Sequence, residues 1–227
     1  MSRRSTLSNK TVVALVASAL IAGMAVHSLI NHPDDHIAPA VAIAQPPENG
    51  PGPWRIDDGV PAGFSHDEAG ALAAATSYAT IGQTLIDMAP TQIPDAVRRY
   101  AAADTADEQT ADTTAQLASL RQTLSAGEGR IRYVKTVIAT RLDAVTLERA
   151  EVRVWSVGVL WRHGAAEPQA DWTTSTFDLV WEDETWKVES ETLVSGPAPA
   201  PNGGTPPVSA AELDRLLAGF SIGTVTR

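Results

Sequence analysis

Thr11 to Ile30 reads TVVALVASALIAGMAVHSLI, twenty residues without a charged side chain. As a helix rising about 1.5 Å per residue, it is roughly 30 Å long, the thickness of one hydrocarbon core. Such a run has to be buried, in lipid or in protein. Arg3, Arg4 and Lys10 precede it and are the only charged side chains before Asp34. The whole chain carries a formal net charge of -10, so its cationic N-terminus stands against an acidic remainder. The positive-inside rule places residues 1–10 in the cytoplasm, makes 11–30 a transmembrane anchor and puts everything after it outside. A cleaved signal peptide also begins basic and then apolar, and Gly23-Met24-Ala25 offers small residues to a peptidase. Signal cores run only about 7–15 residues, so the length favours an uncleaved anchor. His27, near its outer end, reads as an interfacial residue.

Composition excludes several classes. With no cysteine there is no disulfide scaffold, no thiolate metal site and no Cys nucleophile. Only three lysines are present, and the acidic balance argues against direct nucleic-acid binding. A hydrophobic content of 44% is enough to bury a core.

Residues 31–53 contain Pro33, Pro39, Pro46, Pro47, Pro51 and Pro53, the composition of a semi-extended tether. His32, Asp34, Asp35 and His36 have metal-ligand chemistry. Ordering four ligands on a flexible stalk costs much entropy, so they read as solvated, and neither metal nor cofactor is expected. The folded domain is expected over 54–195. Ser65 and Glu68 have capping-box spacing. From there Ala71, Ala74, Tyr78, Ile81, Leu85 and Met88 form one apolar stripe, ended by Pro90. Pro94 can start a short helix over 96–100. A third helix runs from about Asp104 to Leu124, burying Leu117, Leu120 and Leu124. Asp104, Asp107 and Glu108 suit the positive end of its dipole.

Gly127 and Gly129 mark a switch to strands, expected over 130–142, 150–161, 171–181 and 185–193. Phe177, Leu179 and Trp181 alternate with Thr176, Asp178 and Val180, and Glu182-Asp183-Glu184 is a tight hairpin connection. Helices followed by hairpin-linked strands imply an α+β domain, three helices packed on a four-stranded antiparallel sheet. Residues 196–208 are a Pro/Gly linker. In 209–227, Ser209 and Glu212 cap a short amphipathic helix. Its Leu213, Leu216, Leu217 and Phe220 are the candidate partner-binding residues, with docking expected on the chain's own domain.

Gly59-Val60-Pro61-Ala62-Gly63-Phe64, Glu68-Ala69-Gly70-Ala71 and the Ala-rich helix with Tyr78 form one phrase. Asp178-Leu179-Val180-Trp181-Glu182-Asp183, closing with Thr185-Trp186-Lys187-Val188, forms another. In this order the chain resembles the cone-shaped fold named for nuclear transport factor 2. With its anchor and tether, it resembles single-pass membrane proteins of actinobacterial conjugative and integrative elements. Those are similar in fold to the bitopic inner-membrane scaffold of type IV secretion machines. The resemblance implies a curved sheet and a non-enzymatic scaffold at the cell membrane with envelope-protein partners, and it allows a homo-oligomer. An accessory subunit of a lipid-import system shares this layout. No residue of the secretion scaffold's assembly surface transfers position by position.

Cone-fold relatives include isomerases that bury a carboxylate, often beside Tyr or His. The candidates are Asp178, Tyr78, Tyr100, Tyr133 and His163. Asp178 alternates away from the apolar face, His163 adjoins Gly164 in a turn, and Tyr78 sits on the buried stripe. Neither a Ser-His-Asp spacing, a nucleophile elbow nor a Gly-rich phosphate loop is present. The reading is therefore that this chain is not an enzyme. The tryptophans suit half-buried strand positions, with Trp155, Val157, Val159 and Trp161 on one face. Arg130, Arg132, Lys135 and Arg141 are expected to pair with acidic neighbours.

Overall fold

A computed structural model describes residues 50–200 and 207–222. The anchor at 11–30, most of the tether and its His/Asp group lie outside the described residues. Among the described residues, no helix is long and apolar enough to cross a membrane.

The chain opens with a small antiparallel pair, β1 (Arg55–Asp57) and β2 (Val60–Ala62). Four helices follow: α1 (Glu68–Ala79), α2 (Gly82–Asp87), α3 (Ile93–Tyr100) and α4 (Ala106–Thr123). The long strands are β3 (Glu128–Val145), β4 (Arg149–His163), β5 (Ala166–Glu182) and β6 (Thr185–Ser195). A C-terminal arm adds α5 (Ala210–Leu216) and β7 (Ser221–Ile222). The main sheet is antiparallel throughout, in the order β6-β5-β4-β3-β7.

The α+β architecture and all four long strands follow the sequence pattern. The sheet has five strands rather than four, because Ser221 and Ile222 of the arm pair with Thr140 and Ala139 on the edge of β3. Two residues of ordinary polarity carry no strand periodicity, so only the returning chain reveals the fifth. The single helix expected up to Met88 is broken after Ala79. Backbone bonds from Thr80 and Ile81 reach only three residues back, to Ser77 and Tyr78. Gly82 then sits against the Tyr133 ring, where a Cβ would come within 3.2 Å. The helix cap is Asp67 rather than Ser65: the Asp67 carboxylate accepts from Gly70 N at 2.8 Å, and Ser65 Oγ donates to the same oxygen. Ser65 itself is buried, its carbonyl taken by the Trp186 indole at 2.9 Å. At the C-terminal arm, Ser209 caps α5 as its spacing predicts.

The core lies between the helices and one face of the sheet. Ala71, Ala74, Ala75 and Tyr78 of α1, and Leu117 and Leu120 of α4, are buried with Val152, Val154, Phe177, Leu179, Trp186 and Val188. The hairpin between β5 and β6 is a two-residue turn. Asp183 and Glu184 both take positive φ, 51° and 59°, as a type I′ turn demands.

A β-bulge in β6 sets which residues face inward. Asp178 pairs with Ser190 but Leu179 pairs with Val188, so Glu189 is an extra residue. It shifts the alternation by one: Trp186 and Val188 face the core before it, and Glu191 faces the core after it.

Gly70 is the tightest helical position, since a Cβ there would lie 1.8 Å from the Ser65 carbonyl oxygen. Gly70→Ala is expected to cost about 3 kcal/mol in urea denaturation, because backbone rather than a flexible tip must yield. Gly129→Ala meets nothing within 4 Å. It should cost only the roughly 1 kcal/mol of a left-handed backbone conformation. Equal losses at both sites would refute this account of the α1 start.

Candidate functional site

The inner face of the sheet is apolar at one end and polar at the other. Register places Val152 beside Phe177 and Ala150 beside Leu179 in the apolar part. Further along, Val137, Ser156 and Thr173 form one row, and Lys135, Gly158 and Asp171 form the next. Ser175 lies beside Val154, and Glu191 beside Phe177. Ser156, Thr173 and Ser175 are buried, and Lys135 and Glu191 are only 3% and 2% exposed.

The ionisable members share one environment. Burial pushes the Glu191 carboxyl up to about 7, against the opposing pull of the Lys135 charge and the Ser175 hydroxyl. Burial drives the Lys135 ammonium down, opposed by Glu191 and Asp171. Burial raises the hydroxyls of Tyr100 and Tyr133 above the usual phenol range, and the Glu191 charge adds to both shifts. Three atoms here make no hydrogen bond of ordinary geometry: Lys135 Nζ, Glu191 Oε1 and Ser175 Oγ.

Helix α4 supports this end. Gln109 Nε2 donates to the carbonyls of Val188 and Glu189 at 3.0 and 3.1 Å, capping the bulge that turns Glu191 inward. Thr113, one turn further, bonds the Tyr100 hydroxyl. The helix face that buries Leu117 and Leu120 thus begins with Gln109 and Thr113.

The structure brings Tyr100, Tyr133 and Lys135 together but disperses the other sequence candidates. Tyr78 is core, its hydroxyl donating to the Trp186 carbonyl at 2.8 Å. Asp178 is on the opposite face of the sheet, where Ser190 Oγ donates to it. His163 is exposed at the turn after β4, 3.6 Å from Glu128. The basic stretch divides: Lys135 points inward, Arg141 pairs with Asp143, and Arg130 and Arg132 are exposed. Glu191 was missed, because strict alternation from Trp186 and Val188 sends it outward. The signal that could have found it is Glu189-Ser190-Glu191 itself, a polar run inside an otherwise alternating strand.

Among the described residues, helices α1 to α4 pack against the inner face and leave the outer one uncovered. Trp155 stacks on Trp172 at 4.9 Å and donates to the Pro197 carbonyl, so residues 196–198 cross over this pair. Beside them Val134, Val159 and Ala170 lie in one row, and Thr136, Val157 and Trp172 in the next. Val134 and Val194 are 48% and 55% exposed. In the C-terminal arm Leu213, Leu217 and Phe220 are half-buried and Leu216 is exposed. Arg141 holds the arm, donating to the Ala218 carbonyl at 3.1 Å and lying 5.2 Å over the Phe220 ring.

The family described as "Domain of unknown function (DUF8175)" matches residues 38–205. No curated protein matches the chain. Among solved structures, the chain is similar to the intermembrane space region of the chloroplast protein ARC6. The identity is 13% and the TM-score 0.37, over 57% of this chain and 98% of that one.

Glu191 sets a pH dependence. The native state keeps a proton that the unfolded chain releases above about 4.5. Stability is therefore expected to fall as pH rises from that value through about 7. Glu191→Gln should abolish this slope, a relative gain on the order of 3 kcal/mol between about pH 5 and pH 8 in urea denaturation. Parallel slopes in the two proteins would remove Glu191 as the cause. At about pH 8, Lys135→Met alone should melt below wild type, since it strands the carboxylate. Lys135→Met with Glu191→Leu should melt no lower than wild type, because an apolar pair needs no desolvation of charge.

Proposed function

Because the chain belongs to the DUF8175 family, a domain of unknown function, its role has to be argued from its own layout, and we propose a membrane-anchored, extracytoplasmic interaction protein that scaffolds envelope components without catalysis. The observation that carries this reading is the outer face of the sheet. A helix-free face of an antiparallel sheet ordinarily turns polar side chains to water. Here Val134, Val159 and Ala170 adjoin Val157 and Trp172 in register, and residues 196–198 cover only the Trp155–Trp172 pair. A contiguous apolar surface of this kind suits a protein partner.

The anchor at Thr11–Ile30 and the tether at 31–53 complete the proposal, holding the domain outside the membrane. The resemblance to the nuclear-transport-factor-2 cone and to proteins of conjugative elements supports a place in a DNA-transfer apparatus related to type IV secretion. An accessory role in lipid import is the neighbouring alternative. A second reading, a domain that binds a small molecule or acts as an isomerase-type enzyme, is favoured by one observation: Lys135 and Glu191 are buried together with unpartnered polar atoms.

Two experiments test the main reading. A reporter active only outside the cytoplasm should be on when fused after Arg227 and off when fused at Lys10; the reverse pattern would remove the anchor orientation. Val134→Asp with Val194→Asp should change stability by no more than about 0.5 kcal/mol, as exposed positions allow. The same pair should release the envelope proteins that co-purify with the detergent-solubilised full chain. Retention of those partners would discard the outer face as the interface. Conjugation ATPases among them would favour DNA transfer, and lipid-transport subunits the alternative.

A further inference from the structure

The buried polar end of the sheet poses a chemical question that folding alone does not answer. An unpaired buried polar group costs free energy, and an unpaired buried charge costs more. Native interiors leave few such groups, and each one asks for a partner. By strict geometry Lys135 Nζ, Glu191 Oε1 and Ser175 Oγ make no hydrogen bond and are all buried, on three different strands of one face, although the Ser175 hydroxyl lies near enough to Glu191 to draw its carboxyl down. Lys135 and Glu191 feel each other's charge, yet Lys135 Nζ makes no hydrogen bond to the carboxylate. The bulge at Glu189, capped by Gln109, is what aims Glu191 inward instead of into solvent.

We infer that Lys135, Glu191 and Ser175 form a binding site for a small zwitterion, a molecule with one carboxylate and one ammonium group. The carboxylate is held by Lys135 Nζ, and the ammonium by Glu191 with Ser175 beside it. A ligand of single charge completes one member of the pair and leaves the other buried and unpaired. A zwitterion completes both, and each contact is a charge-assisted hydrogen bond.

This inference rests on the second reading above and specifies its ligand. The test uses the full chain in detergent, with glycine, L-alanine and γ-aminobutyrate as probes and acetate, propionate and ethylammonium as singly charged controls. Isothermal titration and thermal melting are read together. At least one zwitterion is expected to bind with a Kd below about 1 mM and to raise the melting temperature. The three controls should bind at least about tenfold more weakly. Lys135→Met and Glu191→Gln should each weaken the zwitterion at least about tenfold, and Ser175→Ala about threefold. Folding of each variant is checked by its own melt. As a second readout, the carboxylate resonance of ¹³C-labelled glycine should broaden with wild type and not with Lys135→Met. If acetate binds as tightly as glycine, the zwitterion assignment falls and the ligand-binding reading stands. If no probe binds, both fall, and internal water alone answers the buried atoms.

Discussion

Trp186 is the contact on which the arrangement of helices over sheet depends. Its side chain is fully buried at the start of β6, and its indole N–H holds the Ser65 carbonyl just before α1. Its own carbonyl accepts the Tyr78 hydroxyl from the last turn of α1. One residue therefore grips both ends of the first helix. Around it, His66 stacks on Trp181 at 3.9 Å, and Phe64 meets Tyr78 edge-on. Large aromatic surfaces whose buried polar atoms find partners, as those of Trp186 and Tyr78 do, fix orientation as well as burial. The alanine-rich face of α1 can approach this closely because it presents no bulk, and Gly70 removes the last obstruction at its start.

The opposite end of the inner face obeys a different balance. Apolar contacts there give way to Ser156, Thr173, Ser175, Lys135 and Glu191. Buried ion pairs add little net stability when their partners are imperfectly placed, because desolvation offsets attraction. Lys135 and Glu191, buried without a direct ion pair between them, are thus a cost to folding that the well-packed Trp186 end can offset. Such a separation, one end rigid and apolar and the other polar and incompletely satisfied, is what a domain needs to hold the proposed site without losing its fold.

The outer face and the C-terminal arm belong together. Residues 196–198 cross the sheet at Trp155 and Trp172, and the chain returns to the far edge as β7 on β3. The arm docks in cis, through strand pairing and Arg141 more than through the apolar face of α5. Among the described residues, none of α5 is buried. Leu216 and Ile222 stay exposed, beside an outer face that is already apolar.

What the sequence by itself determined is the set of features carried by local periodicity and composition. The four long strands, the buried stripe of Ala71, Ala74 and Tyr78, the leucines of α4, the hairpin at Asp183-Glu184 and the cap at Ser209 were all legible. Each depends on a residue and its neighbours within a turn or a strand pair. The uncharged run at 11–30 was legible for the same reason. Tertiary structure alone decided what depends on register between distant segments. The bulge at Glu189 exists because Gln109 of α4 holds its carbonyls, and no spacing within β6 announces that. It turns Glu191 to the inside, within electrostatic reach of Lys135, a lysine whose sequence context suggests surface pairing. The fifth strand and the placement of Trp155 on the outer face likewise needed the chain to fold back from Gly196. A one-residue shift in alternation exchanges the two faces of a strand, so the site was decided by long-range contacts that fix the shift.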